Sequence, residues 1–342
     1  MTDALAPRFP DAHVVDVEVV EVRQVTNTHV LVRIRYDGPT DAPEAAFCKL
    51  PPLDPERRAL IARSQMGPKE VLFYTRLAPT LPEIRVPDIY VARQDPTDHS
   101  FAIVMEDLTH AGCRVPDGTW GIQPDSAARA LEDLARLHVR YEDPARRDAE
   151  VPWAPAARDM RAPGLTLLRY GLDHRRDKLS DTFARAAEIY IEHHAELIDL
   201  WAGGPGPATV VHGDPHIGNL FFDGDRVGFL DWGMSTIGPP LKDVSYFLTM
   251  GVEPEDRRRM QSDLLKHYLD VRRSLGGTEI SFDDAWAAHR VLAGYNVIAS
   301  FLGLTAPYNA PSRRVFSGNF RKRAMMALDD LETVDALRAV LR

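Results

Sequence analysis

Apolar and polar positions alternate through much of the first hundred residues, and most of the remainder repeats at helical spacing. From Val14 to Val25 the valines are broken by Asp16, Glu18, Glu21 and Arg23, which predicts a strand with one wetter face. After Thr26, Asn27 and Thr28 the run HVLVRIRY puts Val30, Val32, Ile34 and Tyr36 on one face and Arg33 and Arg35 on the other, so the two runs form a hairpin. Ala45 to Leu50 (AAFCKL) predicts a third strand whose one cation is Lys49, and Val86 to Arg93 and Phe101 to Met105 complete five.

Between the third and fourth strands lies GPKEVLFYTRLAP, where Gly67 and Pro68 start a helix that runs to Pro79. Glu70 shares a face with Phe73, Tyr74 and Leu77. A carboxylate on an apolar face needs a cation, and Lys49 is the natural counterpart; left unpaired it would cost several kcal/mol, roughly. The plainer readings are an edge-strand lysine in water and a solvated helix carboxylate.

Beyond Gly112 helical periods dominate. Pro124 to Tyr141 carries Ala127, Leu131, Leu134, Leu137 and His138 on one stripe, with His138 read as a core or capping residue. Residues 144–165, rich in proline, alanine and arginine around Trp153, predict a long connection. Further helices are expected over roughly Lys178 to Trp201, Glu255 to Ser274, Phe282 to Phe301 and Phe320 to the end, with Arg175, Arg176 and Lys178 as a solvated face. Trp286, His289, Tyr295 and Asn296 either belong to the core or line a pocket. Arg313, Arg314, Arg321, Lys322 and Arg323 form a basic run, a solvated surface by default and an anion site as the sharper alternative.

One stretch interrupts the helices: Val210 to Gly233, VVHGDPHIGNLFFDGDRVGFLDWG. It reads as a short strand, a turn through His212, Gly213 and Asp214, a second strand at Phe221 and Phe222, a hairpin turn at Asp223 to Asp225, and a return strand ending at Asp231. Asp214, Asn219 and Asp231 thereby become neighbours on paired backbones. Asn219 and Asp231 offer the oxygen ligands of a hard cation such as Mg2+, and Asp214 can accept a proton from an attacking alcohol. His212, Asp214 and His216 leave a metal-hydrolase cluster open as an alternative.

The 342 residues suffice for one large domain or two lobes, with 44% hydrophobic content for a packed core. A net charge of −9 does not suit nucleic acid or an anionic membrane. Two isolated cysteines, Cys48 and Cys113, make neither a disulfide framework nor a thiolate zinc site. No apolar run approaches about 18 residues, so a soluble cytoplasmic protein is expected, with no obligatory protein partner.

HGD at 212–214, Asn219, DWG at 231–233 and the following Gly238, Pro239, Pro240 and Asp243 resemble the catalytic and metal loops of protein-kinase-like small-molecule kinases: aminoglycoside phosphotransferases, choline kinases and the ecdysteroid-kinase-like family. The resemblance runs from about Val14 to Phe247 and implies an α+β, two-lobed protein-kinase-like fold. Its N-terminal lobe, 1–106, would hold a five-stranded antiparallel sheet and one helix; its larger, mostly helical C-terminal lobe, 107–342, would follow a hinge at about 105–112. It implies transfer of the ATP γ-phosphate to a small-molecule hydroxyl, with Asp214 as base, Asn219 and Asp231 as magnesium ligands, and Lys49, oriented by Glu70, on the nucleotide phosphates. Met105, Glu106 and Leu108 would line the adenine site, and His216 would assist at the transferred phosphate. Thr26, Asn27 and Thr28 occupy the phosphate-covering turn without its usual glycines, which leaves a non-catalytic nucleotide-binding regulator as the rival. Asp243 would accept hydrogen bonds from the catalytic loop backbone.

Overall fold

A computed structural model describes residues 1–156, 164–301 and 311–341, without the side chains of Leu60, Leu167, Phe301 and residues 311–315. The chain separates into two compact units, Met1–Val115 with Phe221–Met234, and Pro116–Leu220 with Ser235–Arg342.

The first unit is built on an antiparallel sheet of β1 (Val14–Gln24), β2 (Thr28–Tyr36), β3 (Ala45–Leu50), β4 (Ile89–Gln94) and β5 (Phe101–Glu106), in the order β1-β2-β3-β5-β4. The alternation read from the sequence sets the faces of β2, where Val32 and Ile34 are buried and Arg33 and Arg35 exposed; β1, an edge strand, lacks the drier face expected of it, since Val15, Val17, Val19, Val20 and Val22 are all exposed. Val32, Ile34, Ala46, Cys48, Val91 and Val104 pack with Leu5 of a short N-terminal helix, α1 (Thr2–Leu5). β4 starts later than expected, after Pro87, which has no N–H to give a ladder.

Helix α3 (Met66–Leu72) continues as a π-helical turn, Phe73–Leu77, and a 3-10 turn, Ala78–Thr80, so the expected helix exists but changes its winding. Ahead of it stands α2 (Pro55–Ser64), which periodicity gave no reason to expect because it carries no apolar stripe. Its signal is local: Asp54 accepts from the Arg57 amide at 2.8 Å, and Pro55 opens the first turn.

A hairpin of β7 (Leu220–Asp223) and β8 (Arg226–Phe229) completes this unit. The Phe229 amide donates to the Arg85 carbonyl at 3.0 Å, and Arg114 and Phe222 exchange backbone hydrogen bonds at 2.9 Å. Phe221 is fully buried beside Leu108 and Cys113. A Cβ at Gly228 would lie 2.1 Å from the Phe221 ring, so the close approach needs glycine.

The second unit is mainly helical. In α4 (Pro124–Arg140) the stripe Ala127, Leu131, Leu134, Leu137 and His138 is buried. Residues 144–150, expected as part of a connection, instead form α5 (Pro144–Glu150): Asp143 caps it, accepting from the Ala145 amide at 3.0 Å, and Pro144 supplies the first turn. It buries no residue, so no apolar period betrays it. Part of the same expected connection, residues 157–163, lies outside the described residues. α6 (Gly164–His174) leads to α7 (Asp181–Ala202), which starts where Ser180 caps it, and then to β6 (Thr209–Val211). β6 pairs antiparallel with β9 (Thr236–Gly238), a partner the sequence did not indicate.

Then come α8 (Pro240–Met250), α9 (Pro254–Ser274), α10 (Phe282–Leu292), α11 (Asn296–Phe301), α12 (Pro311–Asp330) and α13 (Thr333–Val340). A 3-10 turn, Ala293–Tyr295, divides the expected helix at 282–301. The basic run is not one solvated surface. Arg323 is buried, donating to the Gly118 carbonyl at 3.2 Å and to Glu253 at 3.0 Å, and the Arg313 and Arg314 side chains lie outside the described residues.

Candidate active site

In the first unit β3 and α3 bring Lys49 and Glu70 together: Nζ lies 2.5 Å from a Glu70 carboxylate oxygen and 2.8 Å from Oδ1 of Asp231. The Lys49 and Glu70 side chains are 5% and 2% exposed, that of Asp231 33%. Burial alone would lower the Lys49 pKa, but Asp231 and Glu70 outweigh it and hold the ammonium above its ordinary value. Burial pushes the Glu70 carboxyl up, to about 7, against the pull of Lys49. Two carboxylates facing one ammonium form a group short of one positive charge, and the more exposed of the two is Asp231.

Asp231 adopts φ +57°, a left-handed conformation unusual for a residue other than glycine. Its neighbours fix the turn. Trp232 is fully buried and stacks on Phe73 of the π-helical turn, ring centroids 3.8 Å apart and planes 7° from parallel. A Cβ on Gly233 would come within 2.9 Å of the Met66 carbonyl. Small size at 233 lets this turn lie against α3.

At the expected hinge, Met105 is buried on β5 and Leu108 is buried after it. The Glu106 side chain is taken by Arg85, whose Nη2 contacts both carboxylate oxygens at 2.9 and 3.0 Å while Nε reaches Asp223 at 2.8 Å. Arg85 thus ties β5 to the β7–β8 hairpin, a role sequence reasoning missed; no periodicity distinguishes it from other surface cations. In the turn at 26–28, Asn27 and Thr28 point inward. The Thr28 hydroxyl donates to the Pro51 carbonyl at 2.9 Å, and Asn27 Oδ1 is buried with no partner among the described residues. The Thr28 side chain is therefore spent on structure, and the turn offers chiefly backbone groups and Thr26.

In the second unit the loop after β6 carries Asp214, His216 and Asn219. Asn219 Nδ2 donates to the Asp214 carbonyl at 2.9 Å and to its carboxylate at 3.1 Å. With the amide nitrogen committed, the side-chain oxygen is what Asn219 has to give a cation. His216 accepts from the Gly218 amide at Nδ1, 3.0 Å, which leaves Nε2, 3.4 Å from Asp214 Oδ2, to carry the proton of the neutral ring. Asp214 keeps 30% of its side chain exposed.

Asp243, fully buried at the start of α8, holds this loop from behind. Its carboxylate accepts from the His212 amide at 2.6 Å and the Gly213 amide at 2.9 Å, and lies 3.3 Å from His138 Nε2. Burial opposes its ionisation, yet these partners, His138 first, hold its pKa below the ordinary value. His138 in turn bonds Tyr268 at 2.7 Å, and burial lowers its pKa.

The family model of the phosphotransferase enzyme family (APH) matches residues 30–278, well over half of the chain. The chain belongs to the phosphotransferase enzyme family. Solved structures of similar fold include a point mutant of aminoglycoside 2'-phosphotransferase IIIa in complex with GDP (14% identity, 99% of this chain and 96% of that one, TM-score 0.51). A second is APH(2'')-IIIa with GDP and kanamycin (15% identity, 99% and 98%, TM-score 0.51). A choline/ethanolamine kinase family protein from Mesorhizobium loti also aligns (16% identity, 99% and 98%, TM-score 0.49). No curated protein matches the chain.

In this phosphotransferase the structure gathers Lys49, Glu70 and Asp231 in the first unit, and Asp214, His216 and Asn219 in the second. Among the described residues no three His, Cys, Asp or Glu side chains form a group able to hold a metal ion, which removes the support for a His212–Asp214–His216 hydrolase centre. His212 Nδ1 is taken by the Asp214 amide at 3.3 Å. Among the described residues no helix is long and apolar enough to cross a membrane.

The wall of the second unit beside Asp214 went unread in the sequence. Tyr246 is buried there; burial and then the Asp214 charge raise its pKa well above the ordinary value. His216 packs against Phe316 and Phe320, with ring centroids at 5.9 and 5.0 Å. Of the residues expected to be core or pocket, His289 is core: it is buried with Nδ1 2.8 Å from the Ser245 hydroxyl.

Proposed function

We propose that this phosphotransferase moves the γ-phosphate of ATP to a hydroxyl of a small molecule. The observation that carries the reading is the buried Lys49 ammonium set between Glu70 and Asp231. A purely structural ion pair needs one carboxylate; the second, partly exposed carboxylate supplies a hard anionic ligand beside a cation suited to phosphate. A Mg2+ ion fits this donor chemistry, with the Asp231 carboxylate and the Asn219 amide oxygen as its proposed ligands. When bound, magnesium would offset the charge of the nucleotide phosphates.

Glu70 orients Lys49, and Lys49 steadies the phosphate oxygens. Backbone groups near Glu106 and Leu108, with Met105 behind, form the proposed adenine site, and the backbone of the turn at 26–28 covers the phosphates. Asp214, held by Asn219, orients the acceptor hydroxyl and takes its proton as the oxygen–phosphorus bond forms; the bond to the bridging oxygen breaks and ADP leaves. His216 Nε2 steadies Asp214 and the transferred group. A cytoplasmic setting accords with the buried, unpaired thiols of Cys48 and Cys113.

Asp214→Asn tests the assignment. With ATP, Mg2+ and a panel of alcohols, the variant is expected to lose phosphoryl transfer while binding nucleotide as before; turnover near that of the wild type would show that Asp214 is not the base. GTP is run in parallel, since the similar structures above hold GDP. A wild type that binds nucleotide but consumes none with any alcohol would instead fit the non-catalytic regulator.

A further inference from the structure

The buried cations of the second unit differ in one respect. Arg257 is paired with Asp330, Arg272 with Glu142, and Arg323 with Glu253 and the Gly118 carbonyl. Lys242 on α8 is 8% exposed, yet among the described residues no hydrogen bond or ion pair reaches its Nζ. It lies over the Tyr295 ring instead, with Nζ 5.0 Å from the centroid. A cation–π contact is a weaker partner than the carboxylate that a buried ammonium otherwise requires.

The surroundings show where the missing partner belongs. Asp243, the next residue, has its carboxylate oxygens engaged by the His212 and Gly213 amides and His138, so it reaches Lys242 through its charge and not through a direct hydrogen bond. Burial lowers the Lys242 pKa, against the charge of Asp243 and then that of Asp214, which is therefore within electrostatic reach. From Tyr295 the aromatic wall continues to Tyr246 (5.8 Å between centroids), His216 (6.2 Å) and Phe320 (5.0 Å). Lys242 and Asp214 therefore belong to the same aromatic-walled place.

We infer that Lys242 is a specificity-determining residue that selects an acceptor carrying an oxyanion, a carboxylate or a phosphate monoester, near the hydroxyl that Asp214 activates. The incoming oxyanion supplies the partner that the protein withholds, and its charge offsets the burial that disfavours the ammonium. A neutral or cationic alcohol offers Lys242 no counter-charge, so discrimination follows from the direct ion pair that only an oxyanion can make. The net charge of −9 therefore misdescribes this pocket, whose local cation decides the sign of the acceptor.

This inference rests on the reading of the site as an alcohol phosphotransferase, and two readouts keep the two apart. Transfer rates are measured with D-glycerate, glycerol 3-phosphate, glycerol and ethanolamine; binding is followed by NMR of lysine labelled at Cε, with the Lys242 signal assigned by its loss in Lys242→Met. The Lys242 signal is expected to move saturably with D-glycerate or glycerol 3-phosphate, the responding one naming the oxyanion, and to stay put with glycerol. Lys242→Met should lower kcat/KM for that anionic acceptor about ten-fold or more without lowering it for glycerol, and Lys242→Arg should recover part of the loss. Equal movement with glycerol, no movement with either anion at millimolar concentration, or a wild-type preference for glycerol or ethanolamine overturns the inference. Anion-dependent movement without any transfer would sustain the anion site and reject the kinase reading.

Discussion

Asp243→Asn separates a support of the loop from the chemistry of the loop. The wild-type carboxylate is fully buried and accepts from two backbone amides at 2.6 and 2.9 Å. Hydrogen bonds to a charged group contribute about 1.5–3 kcal/mol each, and a buried donor left unsatisfied costs about 1–3 kcal/mol. An asparagine keeps one acceptor oxygen but presents an NH2 group where the second acceptor stood, so one amide loses its partner and the other keeps a weaker, neutral one. A loss of about 2–4 kcal/mol is expected at neutral pH.

Gly213, which supplies one of the two amides, sits at φ +86° immediately before Asp214, so slack in this turn passes directly to Asp214, the proposed base. Transfer should fall about ten-fold or more at unchanged nucleotide affinity. Urea unfolding at constant pH gives the stability change, and steady-state rates give the second effect. The pH dependence supplies an internal check. Asp243 has a lowered folded pKa, so its contribution is present above the ordinary carboxylate value and is lost as pH falls through the folded one. The gap between wild type and variant should therefore narrow in acid. A difference under about 0.5 kcal/mol at neutral pH, the size of an ordinary surface substitution, would refute the reasoning.

Three further outcomes are expected. Lys49→Met leaves Glu70 and Asp231 facing each other without their cation and should cost about 3–5 kcal/mol in urea unfolding as well as transfer activity. Gly233→Ala places a methyl group 2.9 Å from the Met66 carbonyl and should destabilise by about 1–3 kcal/mol, read in the same assay. Burial, then Arg257, lowers the His289 pKa to about 3, so the stability it contributes is complete above the ordinary histidine value and is lost as pH falls from there toward 3. That loss amounts to about 1.4 kcal/mol per pH unit, and His289→Gln should flatten the acid side of a stability–pH curve.

What the sequence disclosed followed from period and position. The five strands were legible because valines alternate with charges in β1 and β2, and Glu70 stood out because a carboxylate at helical spacing from Phe73, Tyr74 and Leu77 has no reason to be there alone. α2 and α5 were not, since both expose most of their surface and owe their starts to the Asp-Pro pairs 54–55 and 143–144. Arg323 was read with its basic neighbours because composition cannot show that Glu253 and the Gly118 carbonyl lie beside it. Lys242 went unread for a similar reason: nothing in the sequence shows that it is buried over the Tyr295 ring.

The stretch Val210–Gly233 shows why a contiguous motif need not be one mechanical piece. Its strands pair not as one continuous ladder but as β6 with β9 and β7 with β8, and the division between the compact units falls between Leu220 and Phe221. The part bearing Asp214, His216 and Asn219 is held by Asp243 from α8. The part bearing Asp231 is held by the Trp232 stack on Phe73 and by Arg85, which ties Asp223 to Glu106. Sequence adjacency supplies Asp214, Asn219 and Asp231 in one short run, whereas two separate sets of neighbours hold them. A substitution in either set therefore acts first on its own group, Asp214, His216 and Asn219 in one and Asp231 in the other.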